Sequence, residues 1–426
     1  MRIVVYPHTM ELGGSQLNAI QLAGAVRDRG HEVIVLSEPG PLVDRVRAMG
    51  MEHIEIPADR RRPSPEVIGK LVRLVRDRRV DLVHGYEWPP IVEALVGLGF
   101  RRKTPVVGTV MAMSVAPFLP RTVPLAVGTE QIRKAAVAAG HRRVMLLEPP
   151  VDTDADNPSV DGEKFRARYG IEADEVVVAM ICRLVPELKL EGLLAACDAV
   201  GELALAGRRV RLIIVGDGLS RDVIAERASR ANATVGRQVV LLTGEIADPR
   251  PAYAAADITV GQGGSALRGM AFGKPLVVVG ERGFSELLTP ESAPIFLQQG
   301  WYGLGPGSLG LGAPALRLAL DPLVHSLDLR QELGGFARQL VLERFSLRQA
   351  AQRQEEEYFF AIQDRVALAL LAADLARCMN GLLISKVRRK YERWRGTIAI
   401  DDSNALSVVA EVLAGGASNS RSGERP

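Results

Sequence analysis

The stretch Thr259-Val260-Gly261-Gln262-Gly263-Gly264-Ser265-Ala266-Leu267-Arg268-Gly269-Met270-Ala271-Phe272-Gly273-Lys274-Pro275-Leu276-Val277-Val278-Val279 decides how the rest of the chain is read. A β-branched run at 258–260 gives way to glycines, a helical pattern follows, Gly273 stops it, and a second apolar run fills 275–279. Strand, glycine turn, helix and strand in this order make a βαβ unit, which calls for a parallel sheet. Gly263, Gly264, Ser265 and Leu267 fall at the helix start, where backbone N–H groups lack intrahelical acceptors and the helix dipole is positive. Such a place suits a diphosphate; a close packing of helix on sheet is the other reading of the same glycines. A Walker A loop is excluded, because Pro275 stands where Ser or Thr would hold magnesium.

Working outward, the same alternation recurs on both sides. Strands are expected at 176–181, 210–215 and 239–243, with helices at 191–205 and 220–231 between them. In the first half, strands are expected at 3–6, 32–36, 53–56, 82–84 and 106–110. A helix over 16–29 is opened by Gly13-Gly14-Ser15, and an amphipathic one covers 66–79. Residues 152–162, rich in Asp, Asn, Pro, Ser and Gly, have the composition of a linker. The expectation is an α/β protein with two Rossmann-like doubly wound domains, at 1–155 and 165–345. Helices follow over 346–400, and a Gly/Ser/Arg-rich tail at 401–426 is expected to be partly disordered.

Bulk properties narrow the function. A length of 426 residues exceeds one comfortable core, and 47% hydrophobic with 24% charged residues is a globular composition. The net charge of +3 is too small to call for a nucleic-acid partner. Cys182, Cys197 and Cys378 lack metal-type spacing, which fits a reducing cytoplasm and no bound metal. No leader segment is expected, because the run at 3–6 is of strand length with glycines after it, and no apolar run is read as spanning a bilayer. Gly216-Asp217-Gly218 ends a strand without the third glycine of a dinucleotide fingerprint, so no nicotinamide cofactor is expected.

Two cations, Arg183 and Lys189, follow the strand at 176–181 and could neutralise a leaving diphosphate, a solvated loop being the other reading. With Gly13-Gly14, Gly216-Asp217-Gly218, Leu242-Thr243-Gly244, Tyr253-Ala254-Ala255-Ala256-Asp257 and the 261–275 segment in this order, the chain resembles a GT-B glycosyltransferase of family 4 over most of residues 1–360. The resemblance implies two facing Rossmann-like domains, the first on the acceptor side and the second binding a nucleotide-sugar donor. It also implies sugar transfer with retention of configuration, no bound metal or cofactor, and a helix at 347–361 crossing back to the first domain. Carried over by residue, Gly13 and Gly14 approach the donor, Arg183 and Lys189 its diphosphate, and Gly216, Gly263, Gly264, Ser265, Leu267 and Arg268 its phosphate and ribose region. Lys189 falls one residue later than in the commonest form of the motif.

The family pattern also fails at three places. Paired glutamates eight positions apart are replaced by Val260 and Arg268, and a cation cannot accept from ribose hydroxyls. Where many relatives carry a histidine near the sugar, this chain has Thr109-Val110-Met111, leaving His84 and Glu87 as the catalytic candidates. A catalytically weakened nucleotide-sugar binder and a nucleotide-sugar epimerase therefore stand as alternatives. The acceptor is left as a small molecule, a glycan or a lipid. Two basic patches bear on peripheral contact with the inner face of a membrane: Arg60-Arg61-Arg62, and Lys386, Arg388, Arg389, Lys390, Arg393 and Arg395 around Tyr391 and Trp394. Solvated helix faces are the other reading of both, and the second patch suits a partner protein equally.

Overall fold

The computed structural model describes residues 1–11, 13–99, 104–112, 114–364 and 366–395, apart from the side chain of Arg393. The expected tail at 401–426 lies outside the described residues. The chain divides into two compact units, one of Met1–Pro150 with the residues from Leu347 onward, the other of Val151–Ser346.

In the first unit β1 (Arg2–Tyr6), β2 (Glu32–Ser37), β3 (Glu52–Glu55), β4 (Leu82–Tyr86), β5 (Val106–Val110), β6 (Leu125–Val127) and β7 (Val144–Leu146) alternate with α1 (Gly14–Asp28), α2 (Leu42–Ala48), α3 (Pro65–Asp77), α4 (Trp88–Leu98) and α5 (Glu130–Ala138). The sheet order is β3-β2-β1-β4-β5-β6-β7, parallel throughout. Successive side chains leave opposite faces of a strand, and both faces are covered. Val4 and Tyr6 join a core with Val67 and Leu71 of α3, whereas Ile3 and Val5 join one with Ile20 and Ala23 of α1. That double burial explains why the strands read as unbroken apolar runs.

The second unit contains α6 (Glu163–Arg168), β8 (Val176–Ile181), α7 (Leu190–Leu205), β9 (Val210–Val215), α8 (Arg221–Val235), β10 (Val240–Gly244), α9 (Arg250–Ala255), β11 (Ile258–Gly261), α10 (Gly264–Ala271), β12 (Leu276–Val279), β13 (Ser285–Leu287), α11 (Ala293–Gln299), α12 (Gly312–His325) and α13 (Leu327–Arg344). Its sheet runs β10-β9-β8-β11-β12-β13, parallel except for the antiparallel β13. Two helices then complete the first unit, α14 (Leu347–Gln363) and α15 (Leu368–Trp394). Ala351, Tyr358 and Ala361 of α14 pack into the same core as α1. Arg143 donates to the buried Glu357 of that helix at 2.9 Å and lies 3.4 Å over the Phe360 ring.

The sequence reading requires two corrections here. Strands β6, β7 and β13 escaped it because each is three residues long, too short for a periodic signal. The bilayer expectation is also revised. Among the described residues, Leu368–Glu392 is long and apolar enough to cross a membrane by length and composition, with a mean hydropathy of 1.5 in its best window.

Candidate functional site

In Val151–Ser346 the strand order reverses between β8 and β11, with β9 and β10 on one side and β12 and β13 on the other. Ligands of open α/β sheets bind outside the carboxyl ends of the strands at such a switch point. The loop after β8 carries the charge there. Arg183 is exposed and Lys189 half-buried, and among the described residues neither side chain forms an ion pair or hydrogen bond. Burial lowers the Lys189 pKa from the ordinary lysine range, and the neighbouring Arg183 charge adds to the effect. A cation taken partly out of water without a counter-ion is costly; an arriving anion removes that cost.

The loop after β11 supplies the second half of the site. Lys189, Cys182, Gln262 and Ser265 line one small hollow. Gln262 is 4% exposed and donates from Nε2 to Leu188 O at 2.7 Å, leaving its buried Oε1 without a partner among the described residues. Leu188 has φ of 65°, a left-handed conformation rare for a residue with a Cβ. It is held between Gln262 and the carboxylate of Glu281, which accepts from Leu188 N–H at 3.3 Å and from the Tyr302 hydroxyl at 2.6 Å. At the start of α10, Gly263 has φ of 56° and no side chain caps the helix. A Cβ added to Gly263 or Gly264 would meet nothing within 4 Å. The Ser265 hydroxyl folds back to donate to Gln262 O at 2.9 Å. The result is an open, uncapped helix start that shares a hollow with Lys189, whose loop also carries the exposed Arg183, an arrangement that attracts phosphate.

Other residues expected at the donor site have structural employment. Leu267 is 1% exposed and packs with Met270, Leu276 and Phe296, so its side chain belongs to the core. Arg268 pairs with the buried Asp156 at 3.0 Å, its Nε facing that carboxylate. Desolvation raises the Asp156 carboxyl and Arg268 opposes the rise. Gly216, at φ 143°, and Gly218, at φ 151°, lie so close to the carbonyls of Cys182 and Leu184 that a Cβ would collide with them. They seat the loop that carries Arg183.

The first unit presents its own carboxyl edge. No side chain caps α1, whose N-cap is Gly13, and the space over Gly14 is open. Glu87 follows β4 with φ of 66°, and its Oε1 accepts from Met111 N–H at 2.9 Å and from the Ser15 hydroxyl at 3.1 Å. It therefore ties the ends of β4 and β5 to the opening of α1. His84 is corrected from a catalytic candidate to a core residue. It is fully buried, with Nδ1 2.7 Å from the Tyr358 hydroxyl and Nε2 2.7 Å from Thr109 Oγ1, and burial pulls its pKa down to about 3. The Arg60-Arg61-Arg62 patch is likewise reduced: Arg60 and Arg62 both pair with Glu38, and Arg60 also donates to Tyr6 Oη at 3.0 Å.

Sequence reasoning missed Gln262 and Glu281. The signal for the first was a polar residue between two glycines at a strand end, and for the second an acid one glycine after an apolar strand. Among the described residues no group of three or more His, Cys, Asp or Glu is placed to hold a metal ion.

Two parallel, doubly wound sheets in series, followed by helices, define the GT-B architecture, and solved structures agree. A glycosyltransferase from Rickettsia africae ESF-5 superposes with a TM-score of 0.67 at 17% identity, covering 85% of this chain and 99% of that one. Anabaena Alr3699/HepE, solved in complex with UDP, gives 0.66 at 18% identity over 84% and 100%. The catalytic domain of Arabidopsis thaliana starch synthase IV, bound to ADP and acarbose, gives 0.61 at 13% over 85% and 100%. No curated protein matches the sequence. Residues 12–126 match the family model Glycosyltransferase Family 4 and residues 175–300 match Glycosyl transferases group 1. The chain thus carries two glycosyltransferase family domains, one in each unit, on a GT-B fold.

Proposed function

We propose that the protein transfers a sugar from a nucleoside-diphosphate sugar, with retention of configuration, and that Val151–Ser346 binds the donor. The observation that carries this reading is Lys189, without a counter-ion among the described residues, sharing a hollow with the uncapped start of α10, and Arg183 on the same loop. As the glycosidic bond to the donor breaks, charge concentrates on the departing diphosphate, and groups already aimed at that place stabilise it without reorganising. Lys189 and Arg183 meet the phosphate oxygens, and the N–H groups at Gly264 and Ser265 supply hydrogen bonds. In this reading the two cations do what a metal ion does elsewhere. Glu87 acts as a positioning residue, because its carboxylate holds the Met111 loop and the start of α1.

Anabaena Alr3699/HepE has been solved with UDP and with UDP-glucose, which makes uridine the first base to test. The three cysteines, all free, fit a cytoplasmic enzyme. The Arg268–Asp156 pair favours a second reading, a binder of weakened activity. A position where the family often carries a ribose-binding glutamate has been absorbed into an internal ion pair. Calorimetric titration with UDP, GDP, ADP and TDP and their common sugars tests the proposal. Selective binding of one nucleotide is expected, and indifference to all of them contradicts it.

A further inference from the structure

Helix α15 has two apolar faces, and among the described residues only one of them is packed. Toward its own unit, Leu371, Cys378 and Leu382 are buried, and Asp374 accepts from the backbone N–H and the hydroxyl of Thr122, both at 2.8 Å. Arg377 donates to Pro117 O and Asp374, and Gly381 lies against Phe118. Toward the outside, Leu383, Ile384, Val387 and Trp394 are 62%, 60%, 63% and 80% exposed, with Tyr391 between them. From Leu368 to Ile384 this outer face carries no charge.

The end of the helix changes character. At 100° per residue, Leu383, Val387, Tyr391 and Trp394 form one stripe. Lys386 and Lys390 flank it on one side, and Arg388 and Arg395 flank it on the other. The Arg395 guanidinium lies 4.7 Å from the centre of the Tyr391 ring, and Arg388 shares a surface pair with Glu392 at 2.7 Å. An apolar stripe with aromatic residues, edged by cations on both sides, matches a lipid interface. There the stripe enters the acyl boundary and the cations meet phosphate headgroups.

We propose that α15 docks this protein onto an anionic lipid surface, lying in the plane of the interface with Leu383, Val387, Tyr391 and Trp394 inserted. Charge separates this occupant from a second copy of the chain, because stripe-to-stripe pairing would set the flanking cations against each other. The inner face separates it from a membrane-spanning helix: Asp374, Arg377 and Gly381 fasten α15 along its own unit. The inference stands on α15 alone and holds whatever donor the enzyme uses.

Flotation of the full-length protein with vesicles of phosphatidylcholine, or of phosphatidylcholine and phosphatidylglycerol at about 7:3, tests it. Binding to the anionic vesicles is expected to be at least about tenfold stronger and to be released by high salt, since each cation near such a surface contributes on the order of fivefold. The Trp394 emission, from an exposed ring in the free protein, shifts to the blue on binding. Lys386→Glu with Lys390→Glu, both exposed and so tolerated by the fold, weakens binding more than tenfold with unchanged thermal unfolding. Leu383→Ser with Val387→Ser weakens binding to the anionic vesicles more than tenfold and removes the blue shift. Equal binding to both vesicles, no effect of either double variant, extraction by detergent alone, or a stripe-dependent dimer without vesicle binding would each overturn the proposal.

Discussion

Replacing Lys189 by Met should change stability and ligand affinity in opposite directions. The ammonium group is half-buried with no carboxylate partner among the described residues, and its pKa is lowered by that burial. Exchanging such a charge for an apolar side chain of similar length removes a desolvation cost, stabilising the fold by about 1 kcal/mol. For a domain of this size that is about 2–4 °C in melting temperature. The same exchange removes a charge-assisted contact to the donor diphosphate, about 1.5–3 kcal/mol, or roughly 10- to 150-fold in affinity. The linkage sign follows from the lowered pKa. Between the folded value and the usual lysine value the unfolded chain binds more protons, so stability rises with pH across that window, and Lys189→Met loses the rise. Differential scanning calorimetry and titration with UDP read the two effects separately. A variant that melts lower, or that binds UDP as the parent does, would refute the assignment of Lys189 as an anion ligand held ready without a counter-ion.

The same reasoning yields further expectations. Gly264→Ala should leave stability within about 1 kcal/mol, because its Cβ meets nothing and alanine suits a helix, while nucleotide binding weakens as the methyl group enters the phosphate space. Gly216→Ala should cost about 3 kcal/mol or more, since the residue stands at φ 143° against Cys182 O; denaturant unfolding measures it, and a loss under 1 kcal/mol contradicts the packing described. His84, with a folded pKa of about 3 against the usual 6.5, costs stability as pH falls from 6.5 toward 3, by about 1.4 kcal/mol per unit. His84→Asn should flatten that slope, and it should leave the pH profile of transfer near neutrality unchanged. Donor consumption should persist in excess EDTA, and its abolition there, restored by a divalent cation, overturns the metal-free reading.

Much of the fold was legible because a parallel sheet buried on both faces writes itself as separated β-branched runs. The runs at 106–110, 176–181 and 210–215 match β5, β8 and β9 end to end. What escaped depended on short or long-range pairing: β13 joins the sheet through antiparallel bonds to β12 that three residues do not advertise. The site divides in the same way. Glycines and cations at strand ends are local signals, so the Arg183 loop and the start of α10 could be named beforehand. Leu267, Arg268 and His84 could not be sorted without partners distant in sequence, because Asp156 lies 112 positions from Arg268 and Tyr358 lies 274 positions from His84. The open valences of Gln262 and Lys189 also exist only once the chain is folded.

The most direct test of the central claim is release of nucleoside diphosphate from a panel of nucleotide sugars by the parent protein and by the Arg183→Ala, Lys189→Met double variant. The account predicts that the parent consumes one donor selectively and that the double variant loses at least about a hundredfold in kcat/KM while remaining folded. Consumption of that donor at the parent rate by the double variant would contradict it.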